Sequence, residues 1–446
     1  MKKQVSLALA AVMAAGMLAA CGGSSSSAAA SSAASSEAGS TASAASNEAA
    51  SGDALSADIT LWTYPVGNFK DEASVNELIA NFNQKYPGIN VKVEYLDYSN
   101  GDDQVTAAIE AGTTPDIILE GPERLVANWG AKGKMLDISD LWTDEVTSDI
   151  SAVSESVVAA CKNDAGVYYE YPLCMTTHTM AINKEMFEAA DALQYINDDG
   201  TWTTENFEKA LKALKDSGVD TTCIVYCGAQ GGDQGTRALV NNLYSGSIVG
   251  SDGKWSVGEK GVKALELLKS MYDNKSMDAG FSMAAADELQ QFQQETCAMT
   301  FCWGTSNAKS YASEDYTQIS VPFPSEDGKP ELEYLVNGFC VFDNGDDAKA
   351  EASKRFISFI CDDAEWGPKS VVQTGAFPVR ASFGNLYEGN DEMSLLSSWS
   401  QYYGPYYNTR AGFAAMRPLW FNMLQQVFNG TPAQEAADAF NSGANG

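Results

Sequence analysis

Five short apolar runs in this chain end in residues equipped to hold a polyhydroxylated molecule. Trp62 and Tyr64 close "ITLWTY", Asp97 and Tyr98 close "INVKVEYLDY", and Glu120 and Glu123 close "DIILEGPE". Further on, Gln230, Asp233 and Gln234 follow "CIVYCGA", and Trp303 closes "CAMTFCW". Tryptophan and tyrosine present flat apolar faces that stack on the C–H groups of a pyranose ring, and carboxylates and amides supply paired acceptors and donors for neighbouring hydroxyls. Each residue also has a plainer use: Trp62 in core packing, Asp97 in a turn, Glu123 as a helix N-terminal charge. Taken together, the run ends favour a cleft, and Trp62 and Trp303 are expected to clamp one ligand.

The residue types that catalysis needs are sparse. The single histidine, His178 in "TTHTMAI", has no nucleophile elbow beside it and reads as a satisfied cleft or core residue. No group of His and Cys has zinc-ligand spacing, and "GAQGGDQGT" lacks the Lys-Ser/Thr of a phosphate loop, so no metal and no cofactor are expected. Glycoside hydrolysis needs only two carboxylates. The 59 acidic residues single out no pair, and a secreted glycoside hydrolase stands as the alternative to a binding protein.

Such residues need elements that carry them to one edge. "DITLWTY" reads as a buried strand over 58–64, and "SVNELIANFNQKYPG" sets Val75, Leu78, Ile79 and Phe82 on one helical face before stopping at Pro87-Gly88. "INVKVEYLDY" alternates Ile89, Val91, Val93 and Tyr95 with polar residues, a second strand; "DQVTAAIEAGTTPDIILEG" is a helix and then a third strand over 116–119. Strand, helix, strand, helix, strand implies a parallel α/β sheet, whose ligands sit beyond the strand C-terminal ends. Past residue 200 the rhythm resumes with the helix "TTENFEKALKALKDSG", the strand "CIVYC", the helix "GVKALELLKSMYDN", the strands "CAMTFCWG" and "NGFCVF", and the helix "AKAEASKRFISFICDD".

A formal charge of −31 makes nucleic acid and an anionic membrane surface unsuitable electrostatic partners. The N-terminus carries Lys2 and Lys3, an apolar run from Val5 to Leu18 too short for a bilayer, and then "LAAC". That pattern looks like a lipoprotein signal with residues 1–20 removed and Cys21 lipidated, which puts the protein outside the cell membrane on a lipid anchor. The Ser/Ala/Gly tract of 21–57 cannot bury enough area to fold and reads as a disordered tether reaching roughly 30–36 Å. The remaining cysteines read as buried thiols: in "TTCIVYC" an extended chain holds Cys223 and Cys227 about 13 Å apart, beyond the ~7 Å a disulfide spans.

"ITLWTY", "NFNQKYPGINVKVEY", "AAIEAGTTPDIILEG", "YPLCMTTHTMAINKEMFEAA", "QQETCAMTFCWG" and "GAFPVRASF" occur in the order of the family 1 extracellular solute-binding proteins, the receptors of ATP-driven sugar importers. The chain resembles that family from Asp58 to "NGTPAQEAADAF", and "PDIILEGPERLVANWGAKGKML" is similar to maltose-binding protein. The resemblance implies a type II periplasmic-binding-protein-like α/β fold with a multi-strand hinge crossed near 172–177, 322–324 and 362–366. One lobe would hold 58–172 and 325–362, the other 173–324 and 363–446. It further implies an oligosaccharide captured between the lobes, without turnover, for an ABC permease; a non-sugar solute is the other alternative. Asn337-Gly338 matches a strand start where backbone approaches ligand, and Arg417 a late helix that reaches the cleft. "GVYYEYP", "CWGTSN" and "EGPER" depart from the family pattern near the cleft.

Overall fold

A computed structural model of the chain describes residues 55–98, 100–228 and 232–446. The leader, Cys21, most of the tether and Gln230 lie outside the described residues. The strands, in chain order, are β1 (Ala57–Thr63), β2 (Ile89–Tyr95), β3 (Ile117–Glu120), β4 (Tyr171–Thr177), β5 (Thr179–Asn183), β6 (Ile224–Tyr226), β7 (Asp278–Gly280), β8 (Met299–Trp303), β9 (Gln318–Val321), β10 (Tyr334–Val341) and β11 (Phe377–Pro378).

The first lobe forms around a six-stranded sheet ordered β11-β4-β10-β3-β1-β2. β1 pairs parallel with β2 from Ala57↔Ile89 to Thr63↔Tyr95, and with β3 from Leu61↔Ile117, the arrangement that alternating strands and helices imply. The helix Glu72–Lys85 between β1 and β2 starts where the Asp71 carboxylate accepts the Ser74 N–H at 2.9 Å, and it buries Val75, Leu78 and Phe82. β10 runs antiparallel between β3 and β4.

The second lobe contains the three-stranded sheet β8-β5-β9 and the parallel pair β6-β7. Its helix Thr204–Asp216 is capped by Thr203 and buries Phe207, Ala210, Leu211 and Leu214, as the spacing of apolar residues requires. All eight described cysteines are buried and unpaired, as small hydrophobes in the two cores.

The chain passes between the lobes at three places, and two differ from expectation. Residues 172–177 are not a crossover but β4 itself, so the passage into the second lobe is made by His178 alone, between β4 and β5. The return runs from β9 through residues 322–333 into β10. The segment after residue 362 stays with the first lobe: the helix Trp366–Thr374 leads into β11, which pairs with β4 at Phe377↔Met175 and Pro378↔Cys174. Burial explains this, because Trp366 and Val371 need the apolar face that Phe359 and β4 offer. The last crossing comes beyond Pro378, and by Trp399 the chain lies in the second lobe, where its Nε1 donates to the Asp199 carbonyl at 3.0 Å.

Candidate functional site

Between the lobes lies a cavity of about 910 Å³. The first lobe supplies Pro65–Gly67 just past β1, Glu120 at the end of β3, Tyr98 ahead of the helix Gly101–Ala111, and Asn337 on β10; the second supplies Gln234, Ser306, residues 408–415 and Arg417. Ligands of open α/β sheets lie beyond strand C-terminal ends, and two parallel strands deliver their ends here.

Glu120, Glu123 and Arg124 form the polar centre of the first-lobe wall. Pro122 starts a helical turn right after β3, so Glu123 and Arg124 project one turn above the strand end. Arg124 donates to Asp102 at 2.9 Å and to Glu120 at 3.2 Å, and lies 3.8 Å from Glu123. Its guanidinium also sits 5.5 Å from the Tyr64 ring centroid and 5.7 Å from that of Tyr98, and those two rings stack at 5.3 Å. Tyr64 is fully buried and donates to Asp102 at 2.5 Å, whereas Tyr98 remains 55% exposed, an aromatic face open to the cavity. Asn337 donates to the second Glu120 oxygen at 3.2 Å. Burial first, and the Glu123 charge second, push the Glu120 carboxyl up to about 7.

The opposing wall is built on a helix start. The helix Phe413–Phe428 begins after Gly412, whose left-handed φ of 78° suits glycine, with no side-chain cap and no acid in its first turn. Its uncapped first turn, Phe413 and Arg417 line the cavity. Arg417 donates to Asp233 at 2.8 Å, and burial together with the Arg237 charge lowers its guanidinium to about 10. Asp233 is fully buried between Arg417 and Arg237, and Arg237 reaches Glu333 on the β9–β10 crossover at 3.0 Å. A second link touches the first lobe directly: Tyr406 donates to Glu123 at 2.9 Å.

The structure therefore gathers Glu120, Glu123, Asn337 and Arg417 on the cavity, with Tyr64 and Asp233 immediately behind it. It does not gather the tryptophans. Trp62 is half-buried against the cluster of Tyr64, Ile118 and Trp129, because it lies inside β1 and points off the sheet face rather than past the strand end. Trp303 is 2% exposed, donates from Nε1 to Ser320 at 3.1 Å and meets Phe292 edge-on at 5.7 Å, a core residue of the second lobe. The expected Trp62–Trp303 clamp is absent. Asp97 accepts the Asn100 N–H at 2.8 Å in the turn before the helix Gly101–Ala111 and does not line the cavity. Gly338 serves a neighbour rather than a ligand: a Cβ there would lie 2.6 Å from the Tyr171 carbonyl and 2.8 Å from Glu170 Oε1, at a bulge between β10 and β4.

Sequence reasoning did not find Asp102, Asn128, Ser306 and the stretch Asn408–Phe413. In "YYNTRAGFAAM" the only signal was a glycine opening an apolar helix, and a helix start says nothing of what it faces. Among the described residues, no group of three or more His, Cys, Asp or Glu could hold a metal ion, and no helix is long and apolar enough to cross a membrane.

Two α/β lobes, crossover strands and a polar cavity between them define a solute-binding protein of the periplasmic-binding-protein class. Residues 67–365 match the bacterial extracellular solute-binding protein family, and the chain belongs to it. Solved structures share the fold. The cyclic α-maltosyl-1,6-maltose binding protein of Arthrobacter globiformis is similar with a TM-score of 0.70 at 17% identity, over 87% of this chain and 98% of that one. An ABC substrate-binding protein of Listeria monocytogenes in complex with cycloalternan gives 0.67 at 18% identity, over 87% and 98%. The sugar-binding protein MalE of Xanthomonas citri gives 0.69 at 15%, over 87% and 96%. No functionally curated protein matches the chain.

Proposed function

We propose that this protein captures a carbohydrate, an oligosaccharide rather than a single ring, and passes it to the permease of an ABC importer. The observation that carries the reading is the cavity: about 910 Å³, near the top of the roughly 300–1,000 Å³ of small-molecule sites, and lined by amide, hydroxyl, carboxylate and guanidinium groups with the Tyr98 ring open beside them. Its cations are largely paired with carboxylates, which suits a neutral polyol. Structures of the same fold hold cycloalternan and maltose, which supports the same class here. A ligand that touches both walls favours lobe closure by contacts it makes only there, and the Tyr406–Glu123 bond already ties the walls.

Thermal-shift measurement with maltose, maltotriose, cycloalternan, tagatose and ribitol tests this. A sugar at 100 times its Kd adds about 2.7 kcal/mol and raises the Tm. A shift with a peptide or polyamine and none with any sugar would replace the substrate class, and reducing ends released from oligosaccharides would replace binding with hydrolysis. We also propose that Cys21 carries the lipid anchor, on the strength of "LAAC" ahead of the Ser/Ala tract. Cys21→Ser should release the protein from the membrane fraction or leave its precursor uncleaved; unchanged retention and processing would refute it.

A further inference from the structure

Carboxylates along the first-lobe wall outnumber the cation that serves them. Arg124 is the single guanidinium shared by Asp102, Glu120 and Glu123. Behind β10, Glu170 is fully buried, neither of its oxygens has a hydrogen-bond partner, and its Oε1 rests against Gly338, next in sequence to the cavity-lining Asn337. An unpartnered buried carboxyl stays protonated, and Glu120 and Glu123 add to that by repulsion. The other groups facing Glu120 supply no second cation. Tyr64 is a phenol held neutral by burial, Tyr98 is a neutral phenol, Asn337 is uncharged, Tyr406 is committed to Glu123, and Arg417 is committed to Asp233.

We propose that ligand capture in this cavity is coupled to release of a proton held by the Glu120 carboxyl at the end of β3. The inference rests on the carbohydrate reading. A sugar hydroxyl donating to an ionised carboxylate makes a shorter and stronger bond than one donating to a carboxylic acid, so a polyol selects the ionised Glu120. The Glu120 O–H proton leaves to solvent and the ligand hydroxyl takes its place on the oxygen. Burial and the Glu123 charge hold this carboxyl near neutrality, where the exchange falls within a physiological pH range. For one linked proton, affinity changes by up to about tenfold per pH unit below the midpoint.

Calorimetric titration of the full chain with maltose, maltotriose and cycloalternan from pH 5.5 to 8.5 tests the coupling. The expected result is an affinity at least about tenfold weaker at pH 5.5 than at 7.5. The apparent enthalpy at pH 7 should also differ between phosphate and Tris by the ionisation heat of up to one proton. Glu120→Gln should bind more weakly with a flat pH profile. Glu123→Gln removes the negative neighbour and should move the midpoint to lower pH, with circular dichroism confirming that each variant is folded. Constant affinity across the range, equal heats in the two buffers, or tighter binding on acidification would each overturn the coupling while leaving the carbohydrate reading in place. No heat with any of the three sugars at any pH would remove both.

Discussion

His178 is the one histidine of the chain and stands where the chain passes from β4 to β5, which makes it a reporter of the hinge. Its ring lies parallel to Phe323 at 6.1 Å, and its Nε2 is 3.2 Å from the Phe301 carbonyl oxygen, so the neutral ring carries its proton there. Burial, with the Arg237 charge as a lesser cause, lowers the imidazole from 6.5 to about 4. A drop of that size is worth about 3 kcal/mol at about 1.4 kcal/mol per unit. The unfolded chain binds a proton near pH 6.5 that the folded chain refuses until about pH 4, so stability falls as pH drops through that window. Proton NMR should show one imidazole that stays neutral at pH 5. Urea unfolding of the wild type and of His178→Gln, which keeps a donor but cannot titrate, should give curves whose separation is constant above pH 6.5 and changes by about 3 kcal/mol toward pH 4. An imidazole titrating near 6.5, or parallel curves, would refute the burial argument.

Trp303→Ala should cost about 3–5 kcal/mol in urea unfolding, because it empties a core site rather than a binding face; weakened sugar binding with an unchanged midpoint would restore the clamp. Tyr98→Ala should weaken sugar binding about tenfold by calorimetry and leave the unfolding midpoint nearly unchanged, given its 55% exposure. Glu288, fully buried and accepting from Thr300 at 2.5 Å and the Phe301 N–H at 2.9 Å, is pushed up by burial to about 8. The folded chain keeps that proton above pH 4.5 where the unfolded chain loses it, so stability declines as pH rises toward 8, and Glu288→Gln should flatten that limb in urea unfolding.

The sequence alone determined what local pattern can encode. Apolar residues at i, i+3, i+4 and i+7 in 72–85, alternation in 89–95 and the ordered motifs placed the first α/β unit and the family, because backbone hydrogen bonding ties side-chain direction to residue spacing. Glu120 and Glu123 were legible for the same reason, since a strand end in a parallel sheet is also a ligand edge. Only the tertiary structure decided which side chain at a run end turns outward. Trp62 and Tyr98 stand near the ends of neighbouring strands, yet Trp62 is drawn onto the Ile118 face while Tyr98 is left over the cavity. The lobe boundary after residue 362, the Asn408–Phe413 wall and the tie from Tyr406 to Glu123 were equally hidden. Each joins residues far apart in sequence, and the free energy that sets them comes from burial and charge pairing between segments that no local spacing records.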